Sequence, residues 1–113
     1  MTHWLRIDIE GIEAEIGRPA PDRIIDGDPV HRTWNVEEAD GLFAGVWEST
    51  PGEWRISYTE WEFCEILSGV SVIVDAEGTE RCVSAGDAFV LRPGFEGSWR
   101  VIETTRKRYV VRL

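Results

Sequence analysis

The sequence predicts an all-β fold, antiparallel and closed into one small barrel or double-sheet roll. Three observations carry that expectation. Turn chemistry recurs at short intervals, from Gly17-Arg18-Pro19 through Asp26-Gly27-Asp28-Pro29, Asp40-Gly41, Thr50-Pro51-Gly52 and Asp75-Ala76-Glu77-Gly78 to Arg92-Pro93-Gly94. The segments between turns are short, and many are rich in β-branched and aromatic residues. After residue 41 no segment shows the 3.6-residue apolar period of an amphipathic helix. The 113 residues suffice for one domain with a core of its own, burying roughly two-thirds of the surface the unfolded chain exposes.

The elements follow in order. Leu5, Ile7 and Ile9 alternate with Arg6, Asp8 and Glu10, which predicts a half-buried strand near the N-terminus. Residues 17–33 read as irregular connection, and Val36-Glu37-Glu38-Ala39 as a single helical turn. Strands are expected over 42–48 and over 56–67, the latter bent or interrupted. Residues 70–75 and 79–83 form a hairpin around Ala76-Glu77-Gly78, with Gly78 in the left-handed region. Strands over 88–91, 98–102 and 108–113 complete the set. Residues 1–33 are thus a strand and irregular arm belonging to the same domain as the barrel of residues 34–113. No internal repeat or low-complexity tract interrupts either part.

Charge excludes several functions. Twelve Lys and Arg against 21 Asp and Glu give a net charge of −9, a field that repels nucleic-acid phosphates and anionic membranes alike. The one dense basic run, Arg106-Lys107-Arg108, is too short to override it. No apolar run approaches the ~20 residues of a membrane span, and the first residues lack an apolar signal stretch, so the expected location is the cytoplasm. Cys64 and Cys82 are then small buried hydrophobes rather than a disulfide, and no CxxC spacing exists. His3 and His31 are the only histidines, which argues against Ser–His and Cys–His nucleophiles; no phosphate loop or G-x-S-x-G elbow is present either.

Two stretches carry a more specific pattern. Within Gly52 to Gly69, Glu62 is followed by six residues and Gly69, with Ile66-Leu67-Ser68-Gly69 reading as a strand end before a turn. Within Gly86 to Trp99, Gly86-Asp87 opens the apolar run Ala88-Phe89-Val90-Leu91, which leads into Arg92-Pro93-Gly94. These stretches resemble the two motifs of the cupins. A further set is similar to the short single-domain cupins related to the cupin domain of (S)-ureidoglycine aminohydrolase and to the ethanolamine-utilization cupin EutQ. It comprises Gly45-Val46-Trp47-Glu48, Pro51-Gly52, Glu62-Phe63, Gly94-Phe95-Glu96-Gly97-Ser98-Trp99 and Glu103-Thr104-Thr105-Arg106-Lys107. The resemblance implies an antiparallel double-stranded β-helix, or jelly-roll barrel, with a pocket in its mouth and often a homodimer. It also implies a metal site of three histidines and one glutamate. Here the first two histidine positions fall on Ile56 and Tyr58, or on Arg55 and Ser57 in a longer register. The third falls on Gly97, Ser98 or Trp99. The usual metal site is therefore not expected to form, no cofactor is expected, and the manganese-linked aminohydrolase chemistry lacks its ligands.

The candidate site residues come from strand parity. Tyr58, Glu60, Glu62, Cys64 and Ile66 share one side of a regular strand. Either Glu60 and Glu62 both enter the barrel near its mouth, able to share acid–base work or hold a hard cation, or Glu60 is solvated on a bend and only Glu62 turns inward. The second reading weighs more, because isolated acids are usually surface residues. A Glu60–Glu62–Cys64 metal set converges poorly. Lys107 shares parity with Tyr109, Val111 and Leu113; it either neutralises Glu62 inside the barrel or guards an edge strand, and the edge reading weighs slightly more. Arg106 and Arg108 read as exposed ion-pair partners. Among the six tryptophans, Trp47 and Trp99 fill core or barrel-mouth space, while Trp54 and Trp61 flank the polar stretch.

These readings give a function in outline. Tyr58, Glu60, Glu62, Trp99 and Lys107 would bind a small polar metabolite in a metal-free pocket. Alternatively, Glu62 and Glu60 catalyse an aminohydrolase, isomerase or lyase reaction on a small nitrogenous or carbonyl compound. A purely structural dimer module is the third reading. A twofold homodimer is the expected assembly, with residues 1–16 pairing onto the partner.

Overall fold

The computed structural model describes residues 3–113, and over these the chain is an antiparallel β-roll. Its strands are β1 (Glu15–Gly17), β2 (Ile24–Gly27), β3 (His31–Ala39), β4 (Leu42–Ser49), β5 (Gly52–Ser57), β6 (Trp61–Asp75), β7 (Glu80–Ser84), β8 (Ala88–Leu91) and β9 (Glu96–Arg112). Among the described residues the one helical segment is a 3-10 turn at Pro21–Arg23. No helix is long and apolar enough to cross a membrane.

β9 organises the molecule. Along one edge it pairs with β6, from Trp61↔Arg112 to Asp75↔Gly97. Along the other, its C-terminal half pairs with β4 and its N-terminal half with β5. β3 and β1 extend the sheet beyond β4, β2 extends it beyond β5, and β7 and β8 lie on the free edge of β6. Such long paired strands close into a roll only if they bend. The bend in β6 lies at residues 66–71, where the register with β9 shifts repeatedly. Gly69 sits there with φ +88°, and a Cβ on it would lie 2.1 Å from the Thr104 carbonyl oxygen. Only glycine fits.

Alternation then fills the interior. Cys64, Ile66, Ile73, Val83, Leu91, Trp99 and Val101 form a buried cluster with Trp54. Within it a polar network fixes one large ring. Trp99 Nε1 donates to Ser71 Oγ at 3.1 Å, and Ser71 Oγ lies 2.7 Å from Thr105 Oγ1. These groups are buried and mutually satisfied, which pins the Trp99 ring in one orientation.

Several sequence expectations change. The strand expected at Leu5 to Ile9 does not form: residues 3–10 pair with no strand, and Leu5 is 54% exposed. Alternation specifies a strand only where a partner supplies hydrogen bonds, and nothing among the described residues does so. Met1 and Thr2, part of the same expected arm, lie outside the described residues. Residues 36–39 are strand rather than a helical turn, because they pair with residues 42–44 of β4 beyond a bulge between Asn35 and Glu37. Residues 17–33, expected to be irregular, contain β2 and the start of β3. The strand over 56–67 is two strands interrupted at Tyr58 to Glu60, whereas Ile66 to Gly69 ends nothing: β6 runs on to Asp75. Likewise residues 98–102 and 108–113 are one strand. The hairpin at Gly78 forms as expected, with φ +83°. Both cysteines are free, but Cys82 is exposed rather than buried.

Candidate functional site

A cavity of about 460 Å³ opens at one end of the roll. Period-2 alternation builds its wall from six strands, with β1 contributing the exposed Glu15. β3 contributes His31, Thr33 and Asn35; β4 contributes Phe43 and Trp47; β5 and the bend after it contribute Trp54, Ile56, Tyr58 and Glu60. Glu62 enters from β6, and Trp99, Lys107, Tyr109, Val111 and Leu113 line the β9 side. Every second residue of each segment faces inward, as strand geometry requires.

Register sets the close neighbours. Trp47 stands directly opposite Lys107, and Trp54 opposite Trp99. The four side chains therefore share one face, and the Lys107 ammonium sits 4.5 Å from the centroids of both the Trp47 and the Trp99 ring. It also lies 3.0 Å from Glu62 Oε2 and donates to Cys64 Sγ at 3.8 Å. The other carboxylate oxygen, Glu62 Oε1, accepts the Tyr58 hydroxyl at 2.5 Å. Both Glu62 and Lys107 are only 5% exposed. An ion pair this deep persists only when its remaining atoms are also hydrogen-bonded, and here they are. Tyr58 itself lies outside any strand, but its backbone is held from both sides. Its N–H donates to the Phe95 carbonyl, and its carbonyl accepts the Gly94 N–H. The Pro93-Gly94 turn thus places the phenol over Glu62.

The electrostatics of this floor run in one direction. Burial, reinforced by Glu62, raises the Tyr58 phenol far above its usual value. Burial pushes the Cys64 thiol up to about 12 despite the nearby ammonium, and the Tyr109 phenol also up to about 12. For Lys107, burial works downward, but the Cys64 sulfur and the Glu62 carboxylate outweigh it and hold the ammonium above the ordinary lysine range. Since the thiol is protonated at neutral pH, the charge that answers Lys107 is Glu62. On the cavity wall, burial and then Lys107 lower His31 to about 4, so its imidazole is neutral.

The sequence-selected residues Tyr58, Glu60, Glu62, Trp99 and Lys107 therefore come together on one cavity. Two expectations are corrected. Lys107 is no edge lysine: β9 is paired on both sides and the ammonium points into the roll. Glu60 is half-buried on the cavity wall rather than fully solvated, with its carboxylate accepting the Thr59 N–H at 3.0 Å. Arg106 and Arg108 behave as expected, pairing at the surface with Glu48 and Glu65. Trp61 does not line the cavity. Sequence reasoning missed Glu15 and His31; the His31 ring centroid lies 5.1 Å from that of Trp47 and 4.7 Å from that of Trp54.

The structure also decides how the metal-ligand positions fall. Ile56, Tyr58, Glu62 and Trp99 all line the cavity, whereas Arg55 and Ser57 face outward. Three of those four inward positions offer no metal-binding nitrogen or carboxylate. The fourth, Glu62, has both oxygens engaged, one of them by a cation. Among the described residues no group of three His, Cys, Asp or Glu side chains converges elsewhere. This donor set does not fit a transition metal.

Comparison with known proteins agrees with the fold. Residues 36–109 match the family described as EutQ-like cupin domain. The chain is similar to a crystal structure from Pseudomonas syringae pv. tomato, a protein of unknown function in the DUF861 family, with 28% identity and a TM-score of 0.80. It resembles the Clostridium difficile EutQ protein at 18% identity and a TM-score of 0.67, and a DUF861 family protein from Thermotoga maritima at 22% and 0.55. These matches cover 88%, 74% and 86% of this chain. In turn it spans 43% of the Pseudomonas chain, 63% of the Clostridium chain and 97% of the Thermotoga chain. No curated protein matches the sequence.

Proposed function

Since the chain belongs to the EutQ-like cupin domain family, we propose that it is a metal-free cupin whose barrel cavity binds a small polar metabolite. The observation that carries this reading is the self-sufficiency of the floor. Glu62, Lys107 and Tyr58 satisfy one another, and His31, Tyr58, Cys64, Lys107 and Tyr109 are each held away from neutrality. General acid–base catalysis works best with a group whose pKa lies near the working pH, so these shifts favour a rigid binding surface over proton transfer. The volume falls within the usual range for small-molecule sites, and the wall joins apolar rings to a few fixed polar groups. Trp99 and Tyr58 frame the ligand, Glu60 meets it at the rim, and the Glu62–Lys107 pair beneath shapes the floor.

A thermal-denaturation screen against small amines, amides and hydroxy acids tests the reading. A true ligand at about 100 times its dissociation constant stabilises the fold by ~2.7 kcal/mol. At least one compound is expected to raise the midpoint, and Thr33→Tyr, which fills the cavity, is expected to abolish that rise. Turnover of a panel compound that disappears in a Glu62→Gln protein shown by circular dichroism to be folded would replace this reading with carboxylate catalysis.

A further inference from the structure

We infer that the ligand of this cavity is a small organic cation, an ammonium group carried on a short apolar body; the inference rests on the binding reading above and names its ligand class. The charge balance of the lining points to it. Lys107 and Glu62 cancel each other at the floor. Two charged groups then remain on the wall, the exposed Glu15 and the half-buried Glu60, and both are acids. Among the described residues neither is ion-paired: the six pairs involve Asp28, Asp75, Glu80, Glu48, Glu62 and Glu65. The other titratable side chains of the wall are uncharged at neutral pH. His31 is neutral and the two phenols are protonated.

An anion entering the cavity would meet two carboxylates and no free cation, inside a protein of net charge −9. A cation meets the opposite field. It also meets aromatic faces, and the cavity already holds one ammonium this way, Lys107 against Trp47 and Trp99. Trp54, Tyr58 and Phe43 add further aromatic surface to the same wall. The ligand's positive end lies toward Glu60 and Glu15, and its apolar body lies against these rings.

Ligand-observed NMR titrations of n-butylammonium, butyrate and butyramide separate the possibilities. Butylammonium is expected to bind about ten-fold more tightly than butyramide, with butyrate weakest. The double variant Glu15→Gln, Glu60→Gln retains the cavity and is expected to lose most of that preference. Its far-ultraviolet circular dichroism and melting curve check that it folds. Equal binding of butylammonium and butyramide, tighter binding of butyrate, or an unchanged preference in the double variant overturns the cationic assignment and leaves the pocket reading standing. Silence from all three probes also overturns it, and the broader screen then decides the pocket reading separately.

Discussion

At the scale of single residues, the molecule turns on one buried ion pair. A paired ammonium and carboxylate contribute little net stability when buried, but removing one partner strands the other. Glu62→Gln leaves the Lys107 ammonium with a neutral thiol, an amide and two rings, and Lys107→Met leaves the carboxylate with the Tyr58 hydroxyl alone. Each change is expected to destabilise the fold by about 3–5 kcal/mol, and the double change by less than the sum. Denaturant midpoints measure this; two single variants each within about 1 kcal/mol of the parent would show that the pair is effectively solvated. His31 gives a second prediction, with a definite sign. Its pKa is about 6.5 in an unfolded chain and about 4 in the fold, so the folded state disfavours the proton. Above pH 6.5 neither state binds it. Between 6.5 and about 4 the unfolded state takes up a proton that the folded state refuses, and stability falls with pH; below about 4 the loss levels off. Because the ring is only partly buried, solvent screening holds the loss to roughly 1–2 kcal/mol. His31→Phe is expected to remove this part of the acid limb, leaving the part due to carboxylates. Identical slopes for the two proteins between pH 4 and 6.5 would contradict the neutral, buried imidazole.

At the scale of elements, the strands make room for one another at a few glycines. Gly45 on β4 lies so close to β3 that a Cβ would sit 2.0 Å from the Trp34 carbonyl oxygen and 3.0 Å from the Tyr109 hydroxyl. Gly45→Ala must therefore push the strands apart beside Asn35, whose Oδ1 accepts the Tyr109 hydroxyl. A loss of several kcal/mol in urea is expected, against about 1–2 kcal/mol for Gly86→Ser, where nothing lies within 4 Å and only the positive φ opposes the change. Comparable losses at both positions would mean that backbone conformation, not strand contact, decides.

The same scale explains what could be read beforehand. The inward face of β9 was legible as Lys107, Tyr109, Val111 and Leu113, because parity survives without knowledge of partners. Its direction was not legible, because Trp47 and Glu62 approach Lys107 only once strands far apart in sequence pair. At Leu5 to Ile9 the converse holds, with alternation present but no partner strand. Val36-Glu37-Glu38-Ala39 contains good helix formers, yet pairing with β4 overrides that local preference. His31 was hidden by the turn residues around it; the one available signal was that His31, Thr33 and Asn35 alternate in phase, inward on the strand.

At the scale of the whole molecule, the roll holds an ammonium where the resemblance to metal-dependent cupins implies a metal. The cation that balances Glu62 is covalently part of β9, seated on two tryptophan rings. On the proposed reading, the cavity above it serves recognition with an affinity independent of metal supply. It also predicts that chelators leave ligand binding and the melting temperature unchanged.

The most direct test is elemental analysis of protein expressed in metal-replete medium, incubated with manganese, iron and zinc and then dialysed. The account predicts far less than one equivalent of any transition metal, and no difference between the parent chain and Glu62→Gln. One full equivalent that survives dialysis in the parent and vanishes in Glu62→Gln would contradict it.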